Sequence, residues 1–546
     1  MIMAYTTGTQ PVILLKEGSS ETKGKEALRN NIAAAKLISE VVRSSLGPRG
    51  MDKMLVDSLG DVTITNDGAT MLKQLDVQHP AAKMMVEIAK ATDSEVGDGT
   101  TSAAVLAGAL LERAEELLDK DVHPTLIVDG YTSASEKALE ILDKIAITVE
   151  PTNKDWLAKV AKTSLASKLV AQESEQLASI VVDAVLHVAD KVGDRYKVDI
   201  DNVKVEKKPG RSISETAMVN GIIIDKEVVH AGMPKRVENA KIALLNAPLE
   251  IEKTEMSAEI RISDPTQMKS FLDEEAKMLK GMVDKLAAVG ANVVFVQKGI
   301  DDIAQHYLAK QGILAVRRVK ESDMTRLSKA TGARIVTNLE DLTPSDLGQA
   351  SLVEERKVEE DKWVFVEGCK NPKAVSILLR GGSQRIVDEG ERAVHDAIMV
   401  VKDVIEKPTI VAGGGAPEAE IAHRIREWTH TLAGREQLAA QAFAEAIEVI
   451  PLTLATNAGM DPIDTQVDLR SSHGKGRTWA GVNVMEGKVD DMEKLQVYEP
   501  TVVKSQIIKA ATEAAIMILR IDDVIAAKGM SKETPPTPTP PGGSSD

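Results

Sequence analysis

At 546 residues the chain is too long for a single hydrophobic core, so about two to four domains are expected. Hydrophobic residues make up 43% and charged residues 27%, ordinary for a globular chain, but aromatics only 2%. The net charge of −16 repels phosphate backbones and few aromatic faces are left for stacking bases, which argues against a nucleic-acid partner. Cys369 is the one cysteine, excluding an intrachain disulfide framework and any multi-cysteine zinc site. The first fifteen residues do not read as a leader, and no run approaches about 18 uninterrupted apolar residues. A cytoplasmic chain without stable membrane insertion is therefore expected.

In chain order, Leu28, Ile32, Ala35, Ile38 and Val42 recur at helical spacing, and Gly47-Pro48 stops that helix. A hairpin follows, Met54–Asp57 and Val62–Thr65 around Gly60-Asp61, and Asp67-Gly68 marks the return to helix. Helices are expected over 79–94 and 100–120, joined by the tight turn Val96-Gly97-Asp98-Gly99. From Ala240 the pattern changes. Short β-branched runs at 241–245, 293–297, 313–319 and 335–337 alternate with helical patterns at 265–289, 301–310 and 322–331. That alternation predicts an α/β domain with crossover connections. After Gly381-Gly382 a long helix carries Val387, Val394 and Val401, and 417–530 is again mostly helical. The end, Thr534 to Asp546, is Pro, Thr, Gly and Ser, too polar to order itself. Helical ends around an α/β middle suggest that the first and last thirds pack together with the middle inserted.

Chemistry concentrates in Gly97-Asp98-Gly99-Thr100-Thr101-Ser102, at the start of the 100–120 helix. Glycines let the backbone approach an anion, and free amides at a helix N-terminus point at it. The hydroxyls add donors, and Asp98 can hold Mg²⁺ against the same phosphates. An ordinary N-cap is the bland alternative. No G-x-x-x-x-G-K-[ST] occurs, so this is not a P-loop enzyme. Ser45 to Gly50 is a second glycine loop, weak alone because Gly-Pro is how helices stop. Asp67 reads alone as a helix cap. Asp396, four residues after Arg392, reads alone as half of a surface ion pair. Gly413 to Pro417 reads either as a nucleotide-approach loop or as a linker. There is no hydrolytic triad, HExxH or CxxC pair, and His395 is a lone histidine.

Together these segments resemble one family. SLGPRGMDKM at 45–54, VTITNDGAT at 62–70, EVGDGTTSAAVLAGALL at 95–111, RAVHDA at 392–397 and VAGGGAPE at 411–418 stand in the order found in group II chaperonins. GMPKRVENAKIALL at 232–245 and NAGMDPID at 457–464 extend the match to most of the chain, on the archaeal thermosome side of the family rather than the eukaryotic cytosolic side. The resemblance implies a multidomain α and α/β fold. A helical equatorial ATPase domain would comprise 1–152 and 407–530, and an intermediate hinge domain 153–221 and 376–406. An α/β apical substrate-binding domain with a helical protrusion, the built-in lid, would cover 222–375, with 531–546 a disordered tail.

The resemblance also implies the site. Asp98 is expected to ligate Mg²⁺, with K⁺ an optional further ion. ATP would be bound by Leu46, Gly47, Gly99, Thr100, Thr101, Ser102, Ser164, Lys168, Gly415, Asn457 and Glu499, the last holding the ribose. Asp396 would position the attacking water with Asp67 assisting, and Lys168 would sense the γ-phosphate. Non-native polypeptides would meet Met256, Ile260, Ile262, Met268, Phe271 and Leu272. Part of that set, Met268 and Leu272 with Leu279, Val283 and Leu286, follows helical spacing and reads equally as an apical core face. Self or paralogous subunits would form a double ring of 16 or 18, with no separate lid co-chaperonin. A ring- or filament-forming scaffold with ATPase activity is the alternative function. Gly390 in the hinge helix, Asn483, and a tail without Gly-Met repeats depart from the family pattern.

Overall fold

The computed structural model describes residues 4–6, 11–13, 20–251, 265–369 and 373–526; the expected tail, 531–546, lies outside them. The chain is a mixture of helices and sheets built around three large, separate buried apolar clusters.

The first cluster is helical. Helix α1 (Gly24–Arg43) buries the periodic face Leu28, Ile32, Ala35, Ile38 and Val42. After the hairpin of Lys53–Val56 with Val62–Thr65 come α2 (Gly68–Gln74), α3 (Pro80–Val96), α4 (Thr100–Asp119) and α5 (Pro124–Ile145). Scarcity of aromatics shows directly in the packing. Ala103, Ala104 and Ala107 of α4 are fully or almost fully buried, and a Cβ on Gly108 would lie 2.3 Å from Ser39 Cβ. Small residues let helix axes come close, replacing bulk with contact area.

Helices α6 (Lys154–Leu165) and α7 (Ser174–Val188) begin a second cluster. It is completed far along the chain by a three-stranded sheet, 217–219, 375–381 and 203–209, and by later helical residues. Between these halves lies a seven-stranded sheet. Strand 236–245 pairs in parallel with 293–296 and with 335–336, and 293–296 pairs in parallel with 314–316. The crossovers are α8 (Pro265–Ala288), α9 (Asp302–Lys310) and α10 (Glu321–Thr331), as the alternating pattern predicts. An antiparallel wing of 348–358, 361–369 and 221–224 extends the sheet; the sequence reading does not contain it.

Helix α11 (Gln384–Glu406) then returns to the second cluster through Val394 and Val401. A Cβ on Gly390 would sit 3.3 Å from Leu379 Cδ2, so the small residue matches the tight seat of α11 on strand 375–381. Helices α12 (Ala416–Thr429), α13 (Gly434–Ile447), α14 (Val449–Asn457), α15 (Pro462–Gly474) and α16 (Thr501–Leu519) rejoin the start of the chain. The first cluster spans Leu28–Ile145 together with Val411–Leu519. Tyr131 of α5 meets Phe443 of α13 edge-on at 5.9 Å, and its hydroxyl donates to Leu110 O at 2.7 Å. Among the described residues one stretch, Gly434–Asn457, is long and apolar enough to cross a membrane, but 78% of its apolar window is buried inside the fold.

Candidate functional site

The site grows from the N-terminus of α4. Gly99, its N-cap, stands at φ +79°, where an L side chain is strained, and a Cβ there would also press on Ile507 Cδ1 at 2.7 Å. No side chain caps this helix, so the amides of Thr100, Thr101 and Ser102 point outward with the positive end of the dipole behind them. Asp98 does not cap it from afar. Its Oδ1 accepts from Gly99 N at 2.7 Å, and its Oδ2 accepts from Ser164 Oγ of α6 at 2.8 Å.

Asp67 caps the neighbouring helix α2, accepting from Ala69 N at 3.3 Å and Thr70 N at 2.8 Å. It also receives Thr100 Oγ1 at 3.5 Å, the long limit of a hydrogen bond. The cap reading of Asp67 is therefore correct, and the residue faces the α4 terminus as well. A Cβ on Gly68 would collide with Thr101 Oγ1 at 2.5 Å, which is how closely the two helix starts are set.

Lys168 and Asp396 complete this side. Lys168 Nζ lies 2.9 Å from Asp396 Oδ2, and their side chains are only 8% and 7% exposed. The surface pair with Arg392 does not form: Arg392 turns to Glu389 at 2.7 Å, while Asp396 faces inward on α11. Burial pulls the Lys168 ammonium down, but Asp396, Asp98 and Asp67 outweigh it and hold the proton on Lys168 above its usual range. Asp396 is pushed well up, first by burial and then by Asp98 and Asp67, against the pull of Lys168. Burial also raises Asp67, yet Lys168 and the Thr70 hydrogen bonds win and its carboxyl sits low. One cation among these acids leaves the group anionic. Asp67 and Asp396 open onto a cleft of about 700 Å³ that continues toward Lys204 and Asp323.

The second glycine loop lies beside α14. Asn457 Nδ2 donates to Leu46 O at 2.9 Å and to Arg43 O at 3.1 Å, bracing the loop that carries Leu46 and Gly47. Gly415, at φ +76°, is the N-cap of α12, again with no side-chain cap, and a Cβ there would lie 2.6 Å from Pro451 Cβ. Glu499 lies opposite Val411 in the antiparallel pair 409–412 with 498–500, and binds Lys504 at 2.7 Å. Lys504 and its other partner Glu418 were not singled out by the sequence reading. Glu418 belongs to the VAGGGAPE segment, so its motif was visible and its role was not.

The expected polypeptide-binding residues lie elsewhere. Phe271 and Leu272 of α8 are 47% and 54% exposed, as is Met278 at 51%, while Leu279, Val283 and Leu286 are buried. The helical stripe thus divides: its C-terminal half is core and Leu272 is not. Met256, Ile260 and Ile262, and the side chain of Met268, lie outside the described residues.

Comparison with known proteins gives the family. The sequence pattern of the TCP-1/cpn60 chaperonin family matches residues 38–529. The chain is 61% identical over 534 residues to a thermosome subunit alpha of Archaeoglobus fulgidus, covering 98% of each chain. It is 60% identical to a thermosome subunit beta of Thermococcus kodakarensis, covering 97% of each, and 59% identical to a thermosome subunit of Pyrococcus horikoshii, covering 97% and 96%. Two uncapped helix termini, a buried lysine–aspartate pair and this full-length similarity lead to one conclusion: the chain belongs to the TCP-1/cpn60 chaperonin family, in its group II branch.

Proposed function

We propose that this chaperonin subunit hydrolyses ATP at the α4 terminus and uses the turnover to enclose and fold non-native polypeptides. The observation that carries the reading is the buried Lys168–Asp396 pair. It sets a residue of α11 against the acidic helix starts that hold Asp98 and Asp67.

The residues suit a magnesium nucleotide better than a resident metal. Among the described residues no three metal-ligating side chains converge into a cage. A hard ion that keeps its waters and shares one or two carboxylates with substrate phosphates needs only Asp98 and its neighbours. When bound, Mg²⁺ would supply charge neutralisation at the phosphates, and K⁺ is an optional further ion. Thr100, Thr101 and Ser102 direct amides at the phosphates, and Leu46 and Gly47 offer a second stretch of backbone. Gly415, Asn457 and Glu499 form or brace the nucleoside side. Asp396, held against the Lys168 ammonium and raised in basicity by its burial, orients the attacking water and receives its proton, with Asp67 fixing the geometry from the other helix. Lys168 holds Asp396 in place and senses the terminal phosphate. Phosphoryl transfer depends on such alignment more than on covalent help from the protein.

In this reading residues 1–152 with 407–530 form the ATPase domain, 153–221 with 376–406 a hinge domain, and 222–375 the receiving domain with its lid. The three apolar clusters support that division. Exposed Phe271 and Leu272 suit contact with unfolded chains. Subunits assemble as a double ring of 16 or 18 in the cytoplasm, without a separate lid protein. Replacing Asp396 by Ala is expected to lower the hydrolysis rate by about 10²–10⁴-fold while nucleotide still binds. Refolding of a denatured test enzyme should be lost with it. Full turnover and full refolding in that variant would overturn the assignment; turnover by the unaltered chain with no ATP-dependent refolding would favour the scaffold reading.

A further inference from the structure

A buried cation beside the glycine loop is left over by the mechanism. Lys504 sits in the first turn of α16 with its side chain 5% exposed. That position is unfavourable twice, because burial strips the ammonium of water and a helix N-terminus repels positive charge. Two carboxylates compensate it: Glu499 Oε2 at 2.7 Å and Glu418 Oε1 at 2.9 Å. Glu418 lies in the first turn of α12, directly after the Gly413–Gly415 loop.

The three groups are not equivalent. Glu418 is as buried as Lys504, whereas the Glu499 side chain is 26% exposed and forms the open edge of the cluster. A Cβ on Gly413 would lie 2.6 Å from Glu499 Oε1, so this oxygen stands over the backbone of the loop that leads to Gly415. Oε2 is tied to Lys504, while Oε1 is the oxygen that overhangs Gly413. Two carboxylates against one ammonium leave acceptors in excess, and Glu418 Oε2 is buried without a partner. A carboxylate anchored on one oxygen, with the other over the loop, is built to accept from hydroxyls, which a ribose supplies as a pair.

We propose that Lys504 is a positioning residue that fixes Glu499 against the sugar of the nucleotide and so sets the discrimination between ribose and deoxyribose. The proposal rests on the reading of this site as a nucleotide site. Without Lys504 the Glu499 carboxylate is free to rotate away from the loop, and Glu418 repels it. A purely structural triad, tying α16 to α12, would instead affect assembly and all substrates alike.

The test uses the full chain, with assembly checked by light scattering, and compares steady-state hydrolysis of ATP, 2′-deoxy-ATP and 3′-deoxy-ATP. Lys504→Met is expected to raise KM for ATP about tenfold, the loss of an ordered hydrogen bond to a charged group, with little change in kcat. KM for the analogue lacking the bound hydroxyl should stay near the wild-type value, so discrimination collapses. Lys504→Gln keeps one donor for Glu499 and should lose less; it decides the matter should Lys504→Met fail to assemble. Glu499→Gln is the control. If it leaves wild-type discrimination intact, the nucleoside reading of Glu499 fails. If it abolishes discrimination while the Lys504 variants retain it, or if Lys504→Met weakens every substrate equally, Lys504 is not a positioning residue.

Discussion

Asp403, in the last turn of α11, illustrates how a single buried acid sets a pH dependence. Its Oδ2 is buried without a hydrogen-bond partner, and it lies at the helix end that disfavours negative charge. Burial, with Glu406 and Glu95 adding to it and Lys402 and Lys407 opposing, pushes its carboxyl up to about 7 from its usual 3.8. Well below pH 3.8 the group is protonated in both folded and unfolded chains and costs nothing. Between there and about 7 the unfolded chain releases the proton and the folded chain keeps it, so stability falls as pH rises through that window. Asp403→Asn is therefore expected to stabilise the fold at pH 8, by on the order of a few kcal/mol, and to change little near pH ~3. Denaturant melts at the two pH values check this; equal effects at both would refute it. At this scale the sequence was legible where a site is contiguous. Asp98 and Thr100 announce themselves because glycines, hydroxyls and a helix start are adjacent. The Lys168–Asp396 pair does not, since neither residue has a local signature and Arg392 offers a plausible false partner four residues away. Only the family resemblance joined them.

The elements tell a similar story. Helices and parallel strands were readable because period and length are intrinsic to one segment: α4 begins at Thr100 and α8 at Pro265 as expected. The antiparallel wing, 348–358 with 361–369, was not, because its solvent-facing positions carry a dense run of charges and its turn contains no glycine. Glu359 takes that turn at φ +57°. Its Oε1 accepts from Arg211 Nε at 2.7 Å and also pairs with Arg380, whose side chain is 4% exposed. Two effects then compete in Glu359→Gly. Relief of the left-handed strain favours the variant by about 1 kcal/mol. Leaving the Arg380 guanidinium buried and without its carboxylate costs more than that relief. The second wins, so Glu359→Gly is expected to melt earlier, whereas glycine at an unencumbered turn would be neutral or stabilising. A rise in melting temperature would show that Arg380 finds another partner.

At the scale of the whole molecule, the hairpin after α1 is conspicuous for what it leaves uncovered. Met54, Val56 and Leu59 are 65%, 62% and 88% exposed, and Met51 beside them 69%. A two-stranded hairpin showing so much apolar surface is poorly stable alone and invites a partner. In the assembly proposed above, the fitting partner is a second copy of the chain. Val56→Lys combined with Leu59→Asp is expected to shift light scattering from the large particle toward single subunits, with helix content unchanged by circular dichroism. An intact particle would place the contact between subunits on another surface.

One pairing described above reaches further than its size suggests. Strand 217–219 lies antiparallel to 376–378, Met218 opposite Ile377, so the chain leaves for the seven-stranded sheet and returns from it through neighbouring strands, about 5 Å apart. The start of α1 and the end of α16 are joined in the same manner, by strands that set Thr22 opposite Val524. The molecule is thus written like nested parentheses, each inner clause opened and shut at one point. An inner clause can be exchanged without rewriting the sentence around it: the seven-stranded sheet and its helices are free to diverge in length and chemistry while the helical frame that encloses them keeps its grammar.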